Sequence, residues 1–438
     1  MDSISEEAER EYALAKRHEA LGDMPSAIRH YKRAERLGHD LREPHQREQN
    51  AARPSFSNAQ LVEASEERED RVHLSEEELS SLARKSKGHA TCYLLSGEQK
   101  QSLEEDGYVV LKGVVEKELC ERMKAELFER ADKFCGVEAG GFETWTPLLG
   151  TGFLDVSWHN PAYYSIRQHP VLYSVFAQLL NEHDLTVSLD RASLKPPAYV
   201  VKEVVETQPD GRTTKTERRI DMPEPYDFLI HNDMNLWQLQ ETKYQGGLAL
   251  SDCPIGGGGF RCIPGFHKLD RIRDYRHNYE RGAFDLSSSC SSSSSLSSSS
   301  ACSTVVYPPP EGTFVYFLDQ QLIRAQATEI PMETGDFIVW NSRLPHSNCP
   351  NRSANWRVQC FVRFVSSKLH PQYREEVRRC MRNGERPRWY STGGEVGDYE
   401  HHPESEEHHP PKLSWLGKRI LGERDWDEEG EEETEKLL

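Results

Sequence analysis

The chain has 438 residues, with 54 Lys and Arg against 72 Asp and Glu and a formal charge of −18. That length suits one large domain with appendages, or two domains, and the acidic balance is opposite to what phosphate neutralisation needs, so no nucleic-acid partner is expected. With 36% hydrophobic residues against 29% charged and a mean hydropathy of −0.75, sizeable solvated segments should accompany a core.

No stretch of about 20 apolar residues is present, so no membrane span is expected. The N-terminus, Met1-Asp2-Ser3-Ile4-Ser5-Glu6-Glu7, is acidic where a signal or transit peptide would be basic. The expectation is a soluble, intracellular protein, most simply cytoplasmic. The ten cysteines never approach as Cys-x-x-Cys and are read as reduced thiols rather than a disulfide frame or a zinc cage.

In chain order, residues 1–42 repeat small and apolar positions at helical spacing. Ala8, Tyr12 and Ala15 lie on one stripe, and after Gly22-Asp23 a second stripe follows in Ala27, Ile28, Tyr31, Ala34 and Leu37. The segment reads as an α-helical hairpin that resembles one tetratricopeptide (TPR) repeat or the first hairpin of a microtubule-interacting-and-transport (MIT) module. A single repeat buries too little to stand alone, so the hairpin is expected to pack on the main domain, to be only partly ordered, or to take a protein partner. Residues 43–90 are polar, with a short helix expected at 75–82, and read as a largely disordered linker. Within the main domain, taken as 91–422, a serine-rich insertion covers about 283–304; from 287 to 300 every residue is serine except Cys290 and Leu296. Residues 423–438 hold nine acidic and two basic residues, which suggests a solvated, disordered acidic tail. His401, His402, His408 and His409 sit among Pro and Glu and read as a loop rather than a metal site.

The segment 95–134 predicts a helix, the apolar run Tyr108-Val109-Val110-Leu111, and a second helix through Leu119, Met123 and Leu127. A further helical stretch at 170–180 precedes strand-like runs at 185–189, 228–234, 247–250, 260–263, 313–318, 336–340 and 358–365. Strands with few intervening helices point to a mainly β fold, an antiparallel barrel or sandwich with flanking helices. Residues 200–225, with Arg212, Lys215, Arg218 and Arg219, read as extra material before the strand at 228–234. Gly256 to Gly259 lacks the Gly-Lys-Ser/Thr ending of a phosphate loop and reads as a flexible turn.

On the expected strand 228–234, alternation puts His231 and Asp233 on one face and Phe228, Ile230 and Met234 on the other. That pair supplies two of the three ligands of a 2-His-1-carboxylate site for non-haem Fe(II), which keeps coordination positions open. By itself His-x-Asp is a weak signal. Downstream, Gly335-Asp336 leads into a strand followed by His346, and a further strand carries Arg357. Val358, Cys360, Val362 and Phe364 form its apolar face, so Arg357 and Gln359 point the other way. A guanidinium inside a barrel needs an anion, and the distal carboxylate of 2-oxoglutarate is the one such an iron site would require.

In this order of residues the chain resembles the phytanoyl-CoA dioxygenase-like (PhyH) family of Fe(II)/2-oxoglutarate oxygenases over roughly 95–422. The resemblance rests on Glu105-Asp106-Gly107-Tyr108-Val109-Val110-Leu111, Lys195-Pro196-Pro197, His231-Asn232-Asp233 and Leu248-Ala249-Leu250-Ser251-Asp252. It extends through the run from Gly259 to Lys268 and Gly335-Asp336 to His346, Asn351, Ser353 and Arg357. It implies a double-stranded β-helix (jelly-roll, cupin-like) core. His231, Asp233 and His346 would be the catalytic iron ligands, and Arg357 would bind the co-substrate. Asn348 stands where the family commonly has a small hydroxyl residue, and an amide can also donate a hydrogen bond there. Lys195, Trp237 and Gln238 are further candidates for contact with substrate or co-substrate. Asp233 favours hydroxylation over halogenation, since the halogenating branch has a small residue in place of the carboxylate.

The implied reaction uses Fe(II), 2-oxoglutarate and O2, with ascorbate as the expected reductant, to hydroxylate a small-molecule or lipid-like substrate with release of succinate and CO2. No acid/base pair is required. Two other readings are a catalytically silent binding or scaffold protein that uses its hairpin for protein interaction, and a zinc hydrolase on the same ligands. The intact ligand set argues against the first, and Arg357 has no evident purpose in the second.

Overall fold

Tyr108-Val109-Val110-Leu111 pairs antiparallel with Phe337-Ile338-Val339-Trp340, Leu111 opposite Phe337 and Tyr108 opposite Trp340. The computed structural model describes Arg10 and residues 93–149, 151–207, 213–223, 225–237, 243–280, 315–316, 320–387 and 408–428. The expected hairpin at 1–42, the linker at 43–90, the serine-rich insertion, Gln238, His401 and His402 therefore lie outside the described residues, apart from Arg10. Every element named below belongs to one unit, Val62–Pro309 with Phe314–Leu438.

The strands are β1 (Tyr108–Leu111), β2 (Phe153–Leu154), β3 (Leu185–Val187), β4 (Ala192–Lys195), β5 (Tyr199–Thr207), β6 (Thr213–Asp221) and β7 (His231–Asn232). After them come β8 (Tyr244–Ala249), β9 (Phe260–Cys262), β10 (Val315–Tyr316), β11 (Thr328–Glu329), β12 (Phe337–Asn341), β13 (His346–Asn348), β14 (Arg357–Val362) and β15 (Phe364–Ser366). A six-stranded sheet runs β1-β12-β8-β14-β4-β2, and a five-stranded sheet runs β10-β7-β13-β9-β11. Among the described residues the core is mainly antiparallel β with flanking helices, as the sequence predicts.

Period-two alternation divides the six-stranded sheet. Val109, Leu111, Phe337, Val339, Leu248, Val358, Cys360 and Val362 join a large core with helical residues such as Met123, Leu127, Phe176 and Val377. Ile338, Trp340 and Ala249 join a second core with Ile230, Phe260, Cys262 and Leu344 from the side of the smaller sheet. The larger sheet is thus sandwiched between helices and the smaller sheet, which is why its strands read as nearly continuous apolar runs. The helices on the first core begin with designed stops and starts: Ser96 and Gln99 form a capping box before Gly97–Glu105, and Asn160 caps Pro161–Arg167. The Lys117–Cys135 helix ends on Gly136 in the left-handed region.

Four expectations change in the structure. The strand expected at 228–234 shrinks to His231–Asn232, because Asn232 Nδ2 donates to the Arg343 carbonyl and Asn235 Oδ1 takes the Trp237 amide into a turn. The run at 358–365 breaks after Val362, so Phe364 lies on β15, which pairs with β3. Tyr199–Thr207 and Thr213–Asp221 pair antiparallel, Tyr199 opposite Asp221 and Thr207 opposite Thr213. The sequence hides this because the pair is largely solvated, Val201 and Val205 being more than half exposed. Finally, the acidic C-terminal stretch begins packed: Trp426 stacks on Tyr173 at 5.8 Å between ring centroids.

Candidate functional site

His231 and His346 are direct partners across β7 and β13, with ring centroids 4.7 Å apart. Each ring places Nδ1 at 2.9 Å from a carbonyl two residues back, His231 on Leu229 and His346 on Leu344. A carbonyl only accepts, so Nδ1 carries the proton in both rings and each Nε2 keeps a lone pair. Asp233 sits in the bend just after β7 rather than on the strand, yet it meets both: Oδ1 is 3.5 Å from His231 Nε2 and Oδ2 is 3.8 Å from His346 Nε2. One ligand atom from each residue lies within 4.8 Å of the others, a grouping that could hold a metal ion. Both histidines are buried, while the Asp233 side chain is 31% exposed, so the cluster opens on the carboxylate side.

Gln245, which sequence reasoning missed, donates from Nε2 to Asp233 Oδ2 at 2.6 Å. Loss of hydration pushes the Asp233 carboxyl up, but the His231 and His346 imidazoles, the Gln245 hydrogen bond and Arg363 outweigh it and hold it below its ordinary range. Burial, reinforced by His346, brings His231 down to about 4 against the opposing pull of Asp233. Two imidazole nitrogens and a carboxylate oxygen are the donor set that a divalent ion of intermediate softness accepts. Around the rings, Phe260 stacks on His346 at 5.7 Å, and Arg261 fastens the two strands by donating to Ser347 Oγ, Asp227 Oδ1 and the Phe228 carbonyl.

Arg357 and Lys195 are also direct partners, across β14 and β4. They are 2% and 5% exposed. Arg357 Nε donates to the Gly258 carbonyl at 2.9 Å, and Lys195 Nζ donates to the Cys349 carbonyl at 2.6 Å. Arg357 Nη2 is buried without a partner. Burial lowers Arg357 to about 10, and burial together with the Arg357 charge brings Lys195 well below its ordinary value. Among the described residues no carboxylate pairs with either. Two adjacent buried basic side chains, one of them with a donor to spare, could hold an anion. The Arg261 charge acts on both His231 and Lys195, which puts the histidine cluster and the two basic side chains in one electrostatic neighbourhood.

The other sequence candidates divide. Asn348 is two residues beyond His346 on β13, opposite Phe260, and its Oδ1 is buried without a partner. Trp237 is buried against Tyr275 at 6.1 Å, a packing position. Gly256 to Gly259 is not a free turn: Gly257 bridges Asn351, and the Gly259 carbonyl accepts from the Cys349 amide. Asn351 Nδ2 in turn donates to the Lys195, Pro196 and Asn355 carbonyls, tying both cation-bearing strands to the glycine loop. His408 rests its Nε2 on the Met381 carbonyl. A second acidic grouping, Glu182, His183 and Asp184, is an ion-pair network with Lys368.

The family model for phytanoyl-CoA dioxygenase (PhyH) matches residues 103–358, more than half of the chain. A Dictyostelium discoideum protein with a provisional phytanoyl-CoA dioxygenase name is 22% identical over 316 residues, 64% of this chain and 79% of its own. Among solved structures, the Candida albicans GlcNAc-inducible protein GIG2 (DUF1479) aligns with a TM-score of 0.53 at 14% identity, over 85% of each chain, a likeness of fold. SnoK, a non-heme alpha-ketoglutarate-dependent carbocyclase of nogalamycin biosynthesis, aligns with a TM-score of 0.36 at 17% identity, over 64% of this chain and 88% of its own. By the extent of the family match, and with the His-Asp-His cluster it carries, this chain belongs to the phytanoyl-CoA dioxygenase family of oxygenases.

Proposed function

We propose that the protein is an Fe(II)- and 2-oxoglutarate-dependent dioxygenase that hydroxylates a small-molecule or lipid-like substrate. The observation that carries this reading is the convergence of His231, Asp233 and His346 within 4.8 Å in the same interior as a buried, incompletely bonded Arg357. The facing sheets are read as the two walls of a double-stranded β-helix, with 91–422 as the catalytic unit.

In this reading His231 Nε2, His346 Nε2 and an Asp233 oxygen hold Fe(II). When bound, iron with 2-oxoglutarate and O2 supplies oxidative decarboxylation to succinate and CO2 coupled to C–H hydroxylation. The chain's own part is geometric and electrostatic. Leu229 and Leu344 fix the tautomer of each imidazole, and Gln245 fixes the carboxylate. Arg357 grips the distal carboxylate of 2-oxoglutarate through Nη2, Lys195 adds its charge, and the Asn348 amide lies close to the same co-substrate. Phe260, Trp340 and Ile338 keep water from the interior. No residue needs to act as a general acid or base. The buried free thiols Cys120, Cys253, Cys262, Cys349, Cys360 and Cys380 support a reducing, intracellular setting, with the cytoplasm the simplest. A protein partner for the N-terminal hairpin belongs to the same proposal.

The test is succinate release from 2-oxoglutarate with Fe(II), O2 and ascorbate, screened against a metabolite panel, with His231→Ala as reference. Stimulated release in the wild type alone names the substrate class. Equal background in both proteins across the panel would sink the reading in favour of a silent scaffold.

A further inference from the structure

Gln359 follows Arg357 by two residues on β14, so both side chains rise from the same face of the sheet. It is 1% exposed. Its Oε1 accepts from Arg357 Nη1 at 3.5 Å. A guanidinium donates and never accepts, so this contact orients the carboxamide, with Oε1 toward the arginine and Nε2 directed elsewhere. That nitrogen is buried and has no partner among the described residues.

Gly247 makes room for it. Phe361 lies opposite Gly247 and Gln359 opposite Ala249 across β14 and β8. A Cβ on Gly247 would stand 2.3 Å from Gln359 Nε2, and 3.4 Å from Ile338 Cγ2. The amide nitrogen therefore lies over the β8 backbone on the side of the sheet that carries Ile338, Ala249 and Trp340, the side facing the smaller sheet. Two buried donors without acceptors, Arg357 Nη2 and Gln359 Nε2, come from side chains that touch each other. Donors left this way in a folded interior call for a ligand with acceptor oxygens.

We propose that Gln359 Nε2 is a second hydrogen-bond donor to the distal carboxylate of 2-oxoglutarate, beside Arg357, and that residue 247 is glycine so that this amide can occupy its place. The inference rests on the co-substrate reading above and adds a binding residue to it. Arg357 supplies the charge; Gln359 supplies direction, selecting a ligand whose second carboxylate reaches this depth.

The test measures binding rather than turnover, on the full chain loaded with Fe(II) without oxygen, by the visible charge-transfer absorption of the 2-oxoglutarate complex. Gln359→Leu keeps the volume and removes the donor, and Gly247→Ala leaves Gln359 intact but displaces its nitrogen. Both should bind 2-oxoglutarate roughly 10-fold to 100-fold more weakly, the effect of one hydrogen bond to a charged group. Binding of 2-oxovalerate, which lacks the second carboxylate, should be unchanged, as should Fe(II) affinity without co-substrate. If Gln359→Leu folds poorly, Gly247→Ala carries the same comparison. Unchanged 2-oxoglutarate affinity in both variants overturns the inference, and so does an equal loss for 2-oxovalerate, which would mark general damage. A wild type that binds Fe(II) but no 2-oxoglutarate overturns the co-substrate reading as well, so the two failures are told apart.

Discussion

His231 and His346 stand directly opposite each other in the β7–β13 register, and each ring bonds the carbonyl two residues before it, Leu229 and Leu344. The repeated geometry turns both Nε2 atoms toward Asp233. Replacing any of the three with alanine should lower affinity for Fe(II), or for Co(II) as a spectroscopic stand-in, by more than about 100-fold, since groups that merely orient a ligand already cost 10-fold to 100-fold. Metal titration of the three variants checks this, and an alanine variant with wild-type affinity would remove that residue from the set.

Gln245 is such an orienting group. Its 2.6 Å bond to Asp233 Oδ2 holds the carboxylate against the imidazoles. Gln245→Leu should weaken metal binding about 10-fold to 100-fold, while Gln245→Asn should recover little, because the shorter side chain does not reach. The same titration, with thermal melting to verify folding, reads the outcome.

Lys195 gives a pH dependence. Burial and the neighbouring Arg357 hold its ammonium well below the ordinary lysine value, so Lys195 gives up this proton at lower pH than an exposed lysine would. An arriving dicarboxylate favours the charged form and raises the value again, so binding takes up a proton. Affinity for 2-oxoglutarate should therefore weaken as pH rises past the lowered value, approaching about tenfold per pH unit for one linked proton. Lys195→Met should bind more weakly and lose most of that slope. Calorimetry in buffers of different ionisation enthalpy measures the proton directly.

Gly335 tests the frame rather than the site. It adopts φ +93°, and a Cβ there would stand 2.5 Å from the Val115 carbonyl oxygen. The next residue, Asp336, accepts from Lys112 Nζ and from the amides of Gly113 and Glu333, so the turn has little freedom to yield. Gly335→Ala should cost about 2 kcal/mol or more, read as a lower denaturation midpoint. An unchanged midpoint would show that the turn relaxes.

The convergence of His231, Asp233 and His346 was legible in the amino-acid sequence because their side-chain chemistry is itself the signal: two imidazoles and a carboxylate make a metal-ligand set. The apolar runs of β1, β12 and β14 were legible too, since a sheet covered on both faces needs apolar residues at nearly every position. The β5–β6 pair was not, because cross-strand bonds between solvated residues leave no apolar alternation to read.

What the sequence alone determined was the family and the residue types available for its chemistry, because the kind of side chain at each position is fixed before folding. What only the tertiary structure decided was which groups became partners: His231 with His346, Arg357 with Lys195, Gln245 with Asp233, Gln359 with the space over Gly247. The pairings within a sheet follow from strand register, where a slip of a single residue would turn every side chain to the opposite face, and the Gln245–Asp233 contact follows from how the two sheets face each other. Register is settled by packing across the whole sheet, so no local stretch of sequence contains it.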